Sequence, residues 1–178
     1  MTERAIIQRV LAGDTEAFGL LVDRHYDRCA RIAYRILGNR EDAEEAVQDA
    51  FLRAYRALSS YEDRERFVAW VTRILVNQCR TVRAKANRRE AVFNDDVDLE
   101  YASRRAGTDN EDPGWPDLDG ALAMLPPEQR EAIVLRYTDD LTYEEMARVT
   151  GAGESALKMR VQRAFVRLRM ILQEVTSV

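Results

Sequence analysis

The chain has 178 residues, 46% of them apolar, and a net charge of −4, a size that suits one domain or two small ones with packed cores. No run approaches the roughly 18 apolar residues of a membrane span, and the N-terminal MTERAIIQRVLAGD lacks the apolar stretch of a signal peptide, so a cytoplasmic protein with no membrane insertion is expected. Two cysteines, Cys29 and Cys79, inside helical patterns and a single histidine, His25, argue against a metal cluster, and neither a Gly-rich phosphate loop nor a nucleophile–base constellation suggests an enzyme or a cofactor.

Thr2 is placed to cap a first helix whose apolar positions are Ile6, Ile7, Val10 and Leu11, interrupted at Gly13-Asp14. The spacing predicts a long helix from about Thr15 to Leu37, with Phe18, Leu21, Val22, Tyr26, Cys29, Ile32, Ala33 and Ile36 on one face. Gly38-Asn39 closes it and opens the next. The third helix, about Glu41 to Leu58, is strongly periodic through Ala43, Ala46, Val47, Ala50, Phe51, Ala54, Tyr55 and Leu58. Its acids gather at the start and Arg53 and Arg56 come later, as the helix dipole favours. Glu45, Gln48, Asp49 and Leu52 form its outer face, a pattern that simple solvation also satisfies. The polar loop SSYEDRER, Ser59 to Arg66, leads into a fourth helix from about Phe67 to Arg88, with Phe67, Trp70, Val71, Ile74, Leu75 and Cys79 inward. Arg73, Asn77, Arg80, Ala84 and Arg88 share a different face. Such a stripe suits single-stranded nucleic acid, because arginines neutralise phosphates and an amide or a ring reads or stacks an unpaired base. An ordinary arginine-rich surface helix has the same spacing.

Periodicity stops between Glu90 and Asp119, and acid is concentrated there: the segment carries −8, against +4 for residues 1–89 and 0 for residues 120–178. This composition predicts a flexible linker, in which Trp115 is the one unexpected residue. A second helical unit follows. Leu118, Leu122 and Leu125 begin it, Pro126-Pro127 interrupts, and Pro127 suits the first position of a helix to about Tyr137 that buries Ala132, Ile133, Leu135 or Tyr137. Thr142 and Glu145 form a capping box for a short helix, Tyr143–Val149, that the glycines of Thr150-Gly151-Ala152-Gly153 end. A longer helix from about Glu154 repeats Leu157, Val161, Ala164, Phe165, Leu168 and Ile171/Leu172, with Lys158, Arg160, Arg163, Arg167 and Arg169 between them. A tight glycine turn between two helices, the second basic, is a helix-turn-helix pattern. A plain helical hairpin remains compatible with it. The expected fold is thus all-α: two small helical domains, 1–89 and 120–178, joined by a flexible acidic linker, 90–119.

Three stretches in this order resemble the extracytoplasmic-function group of sigma-70 factors: EDAEEAVQDAFLRAYRAL (Glu41–Leu58), SYEDRERFVAWVTRILVNQCR (Ser60–Arg80), and LPPEQREAIVLRY with LTYEEMARVTGAGESALKMRVQRAFVRLR (Leu125–Arg169). The resemblance implies a transcription initiation factor that binds core RNA polymerase and directs it to promoters. It assigns Glu45, Gln48, Asp49 and Leu52 to the polymerase contact. It assigns Tyr61, Arg64, Arg73, Asn77 and Arg80 to melting and reading the minus-ten element as single-stranded DNA, with Tyr61 and Asn77 holding a flipped base. Lys158, Met159, Gln162 and Arg163 match positions that read duplex bases at the minus-thirty-five element, while Arg160 and Arg167 match phosphate contacts. An anti-sigma factor is the further partner implied.

The chain departs from the family pattern at Ala156, where a threonine is usual, at Phe165-Val166, where a basic pair is common, and at Glu62-Asp63 in the loop. Phe165 is accordingly expected to bury itself against a partner protein. A homodimeric helix-turn-helix regulator is the rival class; it would need neither the Glu41–Leu58 helix nor the Arg73–Arg88 stripe.

Overall fold

The computed structural model describes residues 1–62, 66–93 and 116–176. Among these residues eight α-helices run in order: α1 Glu3–Leu11, α2 Phe18–Leu37, α3 Arg40–Ala57, α4 Phe67–Phe93, α5 Pro116–Ala123, α6 Pro127–Tyr137, α7 Tyr143–Thr150 and α8 Glu154–Thr176. Short 3₁₀ turns, Thr15–Ala17 and Leu58–Ser60, lead into α2 and follow α3. The fold is all-α in two helical units, as expected.

Local chemistry sets the breaks. The Thr2 hydroxyl accepts from Ala5 N at the start of α1, and Asn39 Oδ1 accepts from Asp42 N at the start of α3. Gly38, at φ 72°, and Gly151, at φ 74°, end α2 and α7 in the left-handed conformation that a side chain would strain. At α7 the capping box is complete: Glu145 N donates to Thr142 Oγ1 and Thr142 N donates to Glu145 Oε2.

The helices on either side reach into the segment expected as linker. Helix α4 continues to Phe93 and α5 starts at Pro116, so Leu118 and Asp119 belong to the C-terminal unit. Trp115 and most of the acidic segment lie outside the described residues.

In the N-terminal unit, α2, α3 and α4 pack through Leu21, Ile32, Ile36, Ala46, Val47, Ala50, Leu75 and Cys79, all essentially sealed from solvent. In the C-terminal unit α8 packs on α5, α6 and α7 around Leu135, Leu141, Met146, Leu157 and Ala164. The two units meet. Helix α4 packs against α7, and α2 against α5 and α6, so the buried apolar residues form one continuous cluster. Helix α4 is central: Phe67, Val68, Ala69, Trp70, Val71 and Thr72 are all buried in succession, as befits a helix covered on more than one side.

Four aromatic rings on the apolar stripes, Tyr137 among them only as an alternative, stand out instead. Tyr26, Tyr55, Tyr137 and Phe165 are exposed by 37%, 40%, 61% and 55%. Each lies at the edge of an apolar stripe, where cover is partial: Tyr55 meets Phe18 edge-on at 5.1 Å between centroids, and Tyr137 and Phe165 pair at 6.5 Å. His25, absent from the expected face, is buried instead. Both cysteines are buried and free, and burial pushes their thiols up to about 12, which keeps them protonated and inert.

Candidate nucleic-acid interface

Three helical faces carry the residues singled out in the sequence. On α3, Glu45, Gln48 and Leu52 are exposed and Asp49 is half-buried, one turn apart along the side away from the core. Leu52 is 54% exposed, an apolar side chain among polar ones. Lys85 Nζ from α4 lies 3.7 Å from Glu45 Oε1, a solvent-exposed pair worth at most about 1 kcal/mol.

The second face is on α4 and the loop before it. Tyr61 is half-buried, with its ring edge-on to Trp70 at 5.3 Å and Phe67 at 5.7 Å between centroids. Phe67 in turn meets the His25 ring at 5.4 Å. Tyr61 is thus fixed by an aromatic cluster. Asn77 is exposed, and its backbone carbonyl accepts from Thr81 Oγ1. Arg73 is half-buried, and Arg64 lies outside the described residues.

Arg80 does not face solvent as the stripe suggests. Its Nε and Nη2 donate to Glu131 Oε2 and Oε1 at 3.1 and 2.6 Å, and its Nη1 donates to the Thr150 carbonyl at 3.3 Å. Glu131, on α6, is buried. The residue assigned to the promoter strand is therefore paired with the C-terminal unit. Helical periodicity gives direction from the helix axis and says nothing of what stands there.

The third face is on α8. Leu157, Val161, Ala164 and Leu168 turn inward, leaving Lys158, Met159, Gln162, Arg163 and Arg167 exposed on the other side. Lys158 Nζ sits 5.6 Å from the Tyr143 ring centroid, within cation–π range. Arg160 is turned toward α6, where Nη2 lies 3.0 Å from Glu128 Oε2. Ala156, Met159 and Arg163 line an open groove of about 420 Å³ with Pro127 and Gln129 at the start of α6. Phe165, Val166 and Met170 continue outward beyond this face, each more than half exposed.

Comparison with known proteins decides the family. Residues 21–89 match the model of sigma-70 region 2, and residues 117–168 match that of sigma-70 region 4. The chain is 30% identical to the ECF RNA polymerase sigma-E factor of Haemophilus influenzae over 176 residues, 92% of each chain. It is 31% identical to the sigma-E factor of Escherichia coli K12, covering 92% of this chain and 91% of that one.

The chain belongs to the extracytoplasmic-function sigma factors.

Among solved structures, this sigma factor is similar to the sigma factor RpoE of Bartonella quintana, crystallised with the anti-sigma factor NepR: TM-score 0.72 and 28% identity over 88% of this chain and 96% of that one. It is likewise similar to CnrH in complex with the cytosolic domain of CnrY, with TM-score 0.69 and 28% identity over 97% of both chains. The α3 and α4 faces fall within the matched region 2, and the α8 face up to Leu168 within region 4.

The sequence missed Asp139, Glu131 and Arg28. Asp139 is fully buried between the units, where Arg28 Nε donates to its carboxylate, Arg28 Nη2 to its carbonyl at 2.5 Å, and Thr72 Oγ1 to Oδ2 at 2.9 Å. The Asp139-Asp140 pair was the available signal: Asp140 adopts φ 49°, a turn conformation that Asp tolerates. The turn shows that the chain reverses there, but not that Asp139 enters another unit.

Proposed function

We propose that this sigma factor binds core RNA polymerase through the α3 face, captures the unpaired minus-ten strand on α4 and its preceding loop, and reads the minus-thirty-five duplex with α8. The observation that carries the reading is the placement of three exposed faces on three helices of the two matched segments: Glu45, Gln48 and Leu52; Asn77; and Lys158, Gln162 and Arg163.

Each face has the chemistry for its part. An amide such as Asn77 offers both a donor and an acceptor to a base edge, whereas an arginine only donates. Tyr61, braced by Phe67 and Trp70, offers a positioned ring for an extruded base, a contact worth about 1–3 kcal/mol per stacked base. Lys158, Gln162 and Arg163 project from the outer side of the second helix of the helix-turn-helix, where a major groove admits them. Arg160, paired with Glu128, supports that helix and reaches a phosphate only after giving up its carboxylate.

Binding alone accounts for this activity, so no catalytic residue and no cofactor is assigned, and the site of action is the cytoplasm. An anti-sigma factor is a further partner: the similar sigma factor RpoE of Bartonella quintana was crystallised with one, and Phe165, Val166 and Met170 expose an apolar strip that duplex reading does not use. The homodimeric regulator is not favoured, since the match over residues 21–89 has no place in it.

Reconstituted transcription tests the proposal. Core RNA polymerase with this chain should initiate at a defined set of sites in genomic fragments and should co-elute with the chain on gel filtration. Binding of duplex DNA by the chain without polymerase, with no co-elution, would return it to the regulator class.

A further inference from the structure

We infer that the ring of Tyr143, at the start of α7, positions the Lys158 ammonium on α8 and thereby fixes a preference for guanine at one base pair of the duplex that α8 reads. The inference deepens the reading of α8 as the duplex-reading helix and rests on it.

Lys158 is unlike its neighbours. The other cations of α8, Arg160, Arg163, Arg167 and Arg169, are all arginines, whose planar forks carry their own direction. A lysine is a point charge on a flexible four-carbon stem. Left free in solvent, it meets any phosphate within reach, and phosphate contacts carry no sequence information. A lysine that reads a base therefore has to be held.

Tyr143 supplies the hold. Lys158 Nζ lies 5.6 Å from the ring centroid, where the negative face of an aromatic ring attracts an ammonium. The contact crosses from α7 to α8, the two helices of the helix-turn-helix. Lys158 itself is exposed, so its charge stays on the outer side of α8.

The ring is fixed in its turn. Tyr143 is half-buried and packs against the buried apolar cluster. It directly follows Thr142, whose capping box with Glu145 sets the first turn of α7. The Arg136 guanidinium lies 5.5 Å from the same ring and 5.9 Å from that of Tyr137, and its Nη1 donates to the Leu141 carbonyl at 3.1 Å. Core contacts, a helix cap and an arginine anchored on backbone thus set where Lys158 finds its ring.

The chemistry names the base. An ammonium only donates. In the major groove guanine presents two acceptors, N7 and O6, where adenine presents one acceptor beside a donor. A lysine held at one place in the groove therefore favours guanine. Tyr143 acts through Lys158 and is a positioning residue.

The test uses the full chain bound to core RNA polymerase and a promoter mapped by reconstituted transcription. Affinity is measured for duplexes carrying all four base pairs in turn at each position of the minus-thirty-five element, and for an unrelated duplex. Tyr143→Leu, which keeps an apolar side chain and removes the ring, should weaken binding to the preferred duplex about threefold to fivefold, the weight of one exposed cation–π contact. It should flatten a guanine preference at one position and leave affinity for the unrelated duplex unchanged. Tyr143→Phe, which keeps the ring face, should retain the preference. Lys158→Met should flatten the same position, and the double variant Tyr143→Leu/Lys158→Met should lose no more preference than Lys158→Met alone. An equal loss on every duplex, flattening at a different position from Lys158→Met, or the same loss in Tyr143→Phe as in Tyr143→Leu overturns the inference. A preferred base other than guanine at the shared position overturns it as well. If Tyr143→Leu loses its helical circular dichroism, Tyr143→Met, with a more adaptable side chain, takes its place and the same outcomes apply. Failure of the underlying reading shows separately: if Lys158→Met, Gln162→Ala and Arg163→Ala each leave every base preference unchanged, α8 does not read the duplex, whatever Tyr143 does.

Discussion

Thr72 and Asp139 are 67 residues apart in the chain, yet the Thr72 hydroxyl donates to Asp139 Oδ2 at 2.9 Å with both residues sealed from solvent. The bond joins α4 to the loop before α7 and gives a fully buried carboxylate its second side-chain donor beside Arg28. Replacing Thr72 by valine keeps the shape and removes the donor. Leaving a buried acceptor short of a partner costs about 1–3 kcal/mol, so the urea midpoint of Thr72→Val should fall with an unchanged slope. A neutral or stabilising result would mean that the two units do not close on each other in solution.

His25 predicts a pH effect. Its Nε2 donates to Glu3 Oε1 at 2.8 Å, tying α1 to α2. Burial holds the ring below its ordinary value of 6.5; the Glu3 carboxylate opposes this, and Arg24 and Arg28 add to it. The unfolded chain therefore binds the proton more readily than the folded one. The contribution of His25 to stability is complete above pH 6.5 and is lost as pH falls from there toward the lowered folded value. His25→Gln, which keeps a donor for Glu3 and does not titrate, should lose less stability than the wild type over that window. Parallel curves in thermal unfolding would exclude the histidine as the cause.

Asn77→Ala should leave closed-complex formation nearly intact and impair opening, because the amide meets only an unpaired base. Permanganate reactivity of promoter thymines reads this directly. The mutant should recover on a pre-melted template carrying a non-cognate base no better than on the cognate one, while the wild type distinguishes the two.

Gln48→Ala combined with Asp49→Ala removes two of the three polar side chains of the α3 face while leaving Ala46, Val47 and Ala50 packed. Affinity for core polymerase should drop with the helical signal unchanged. An unaltered affinity would make this face an ordinary solvated one.

Arg163 is exposed at the rim of the groove between α6 and α8. Arg163→Ala should cost roughly 1–3 kcal/mol at a matched minus-thirty-five site and relax preference at one base pair. An equal loss on every duplex sequence would reduce it to a phosphate contact.

The sequence by itself determined the helices, their caps and most of their inner faces. Thr2, Asn39 and Thr142 are caps, Gly38 and Gly151 are stops, and Pro127 opens α6, because each acts on a backbone within about one turn of itself. The three exposed faces were legible for the same reason: the inward stripe leaves the outward one by subtraction. Only the tertiary structure decided what opposes each face. The pairs Arg28–Asp139, Arg80–Glu131 and Arg66–Glu145 span 111, 51 and 79 residues, and such distances leave no local pattern. A buried carboxylate is spelled like a solvated one, so Asp139 and Glu131 read as surface charge until an arginine from the other unit is placed on them. Tyr137 and Phe165 fail in the opposite sense: helical spacing marks them as inward, but they cover each other only in part, at 6.5 Å between ring centroids, and stay more than half exposed, since burial is a property of two surfaces and periodicity describes one.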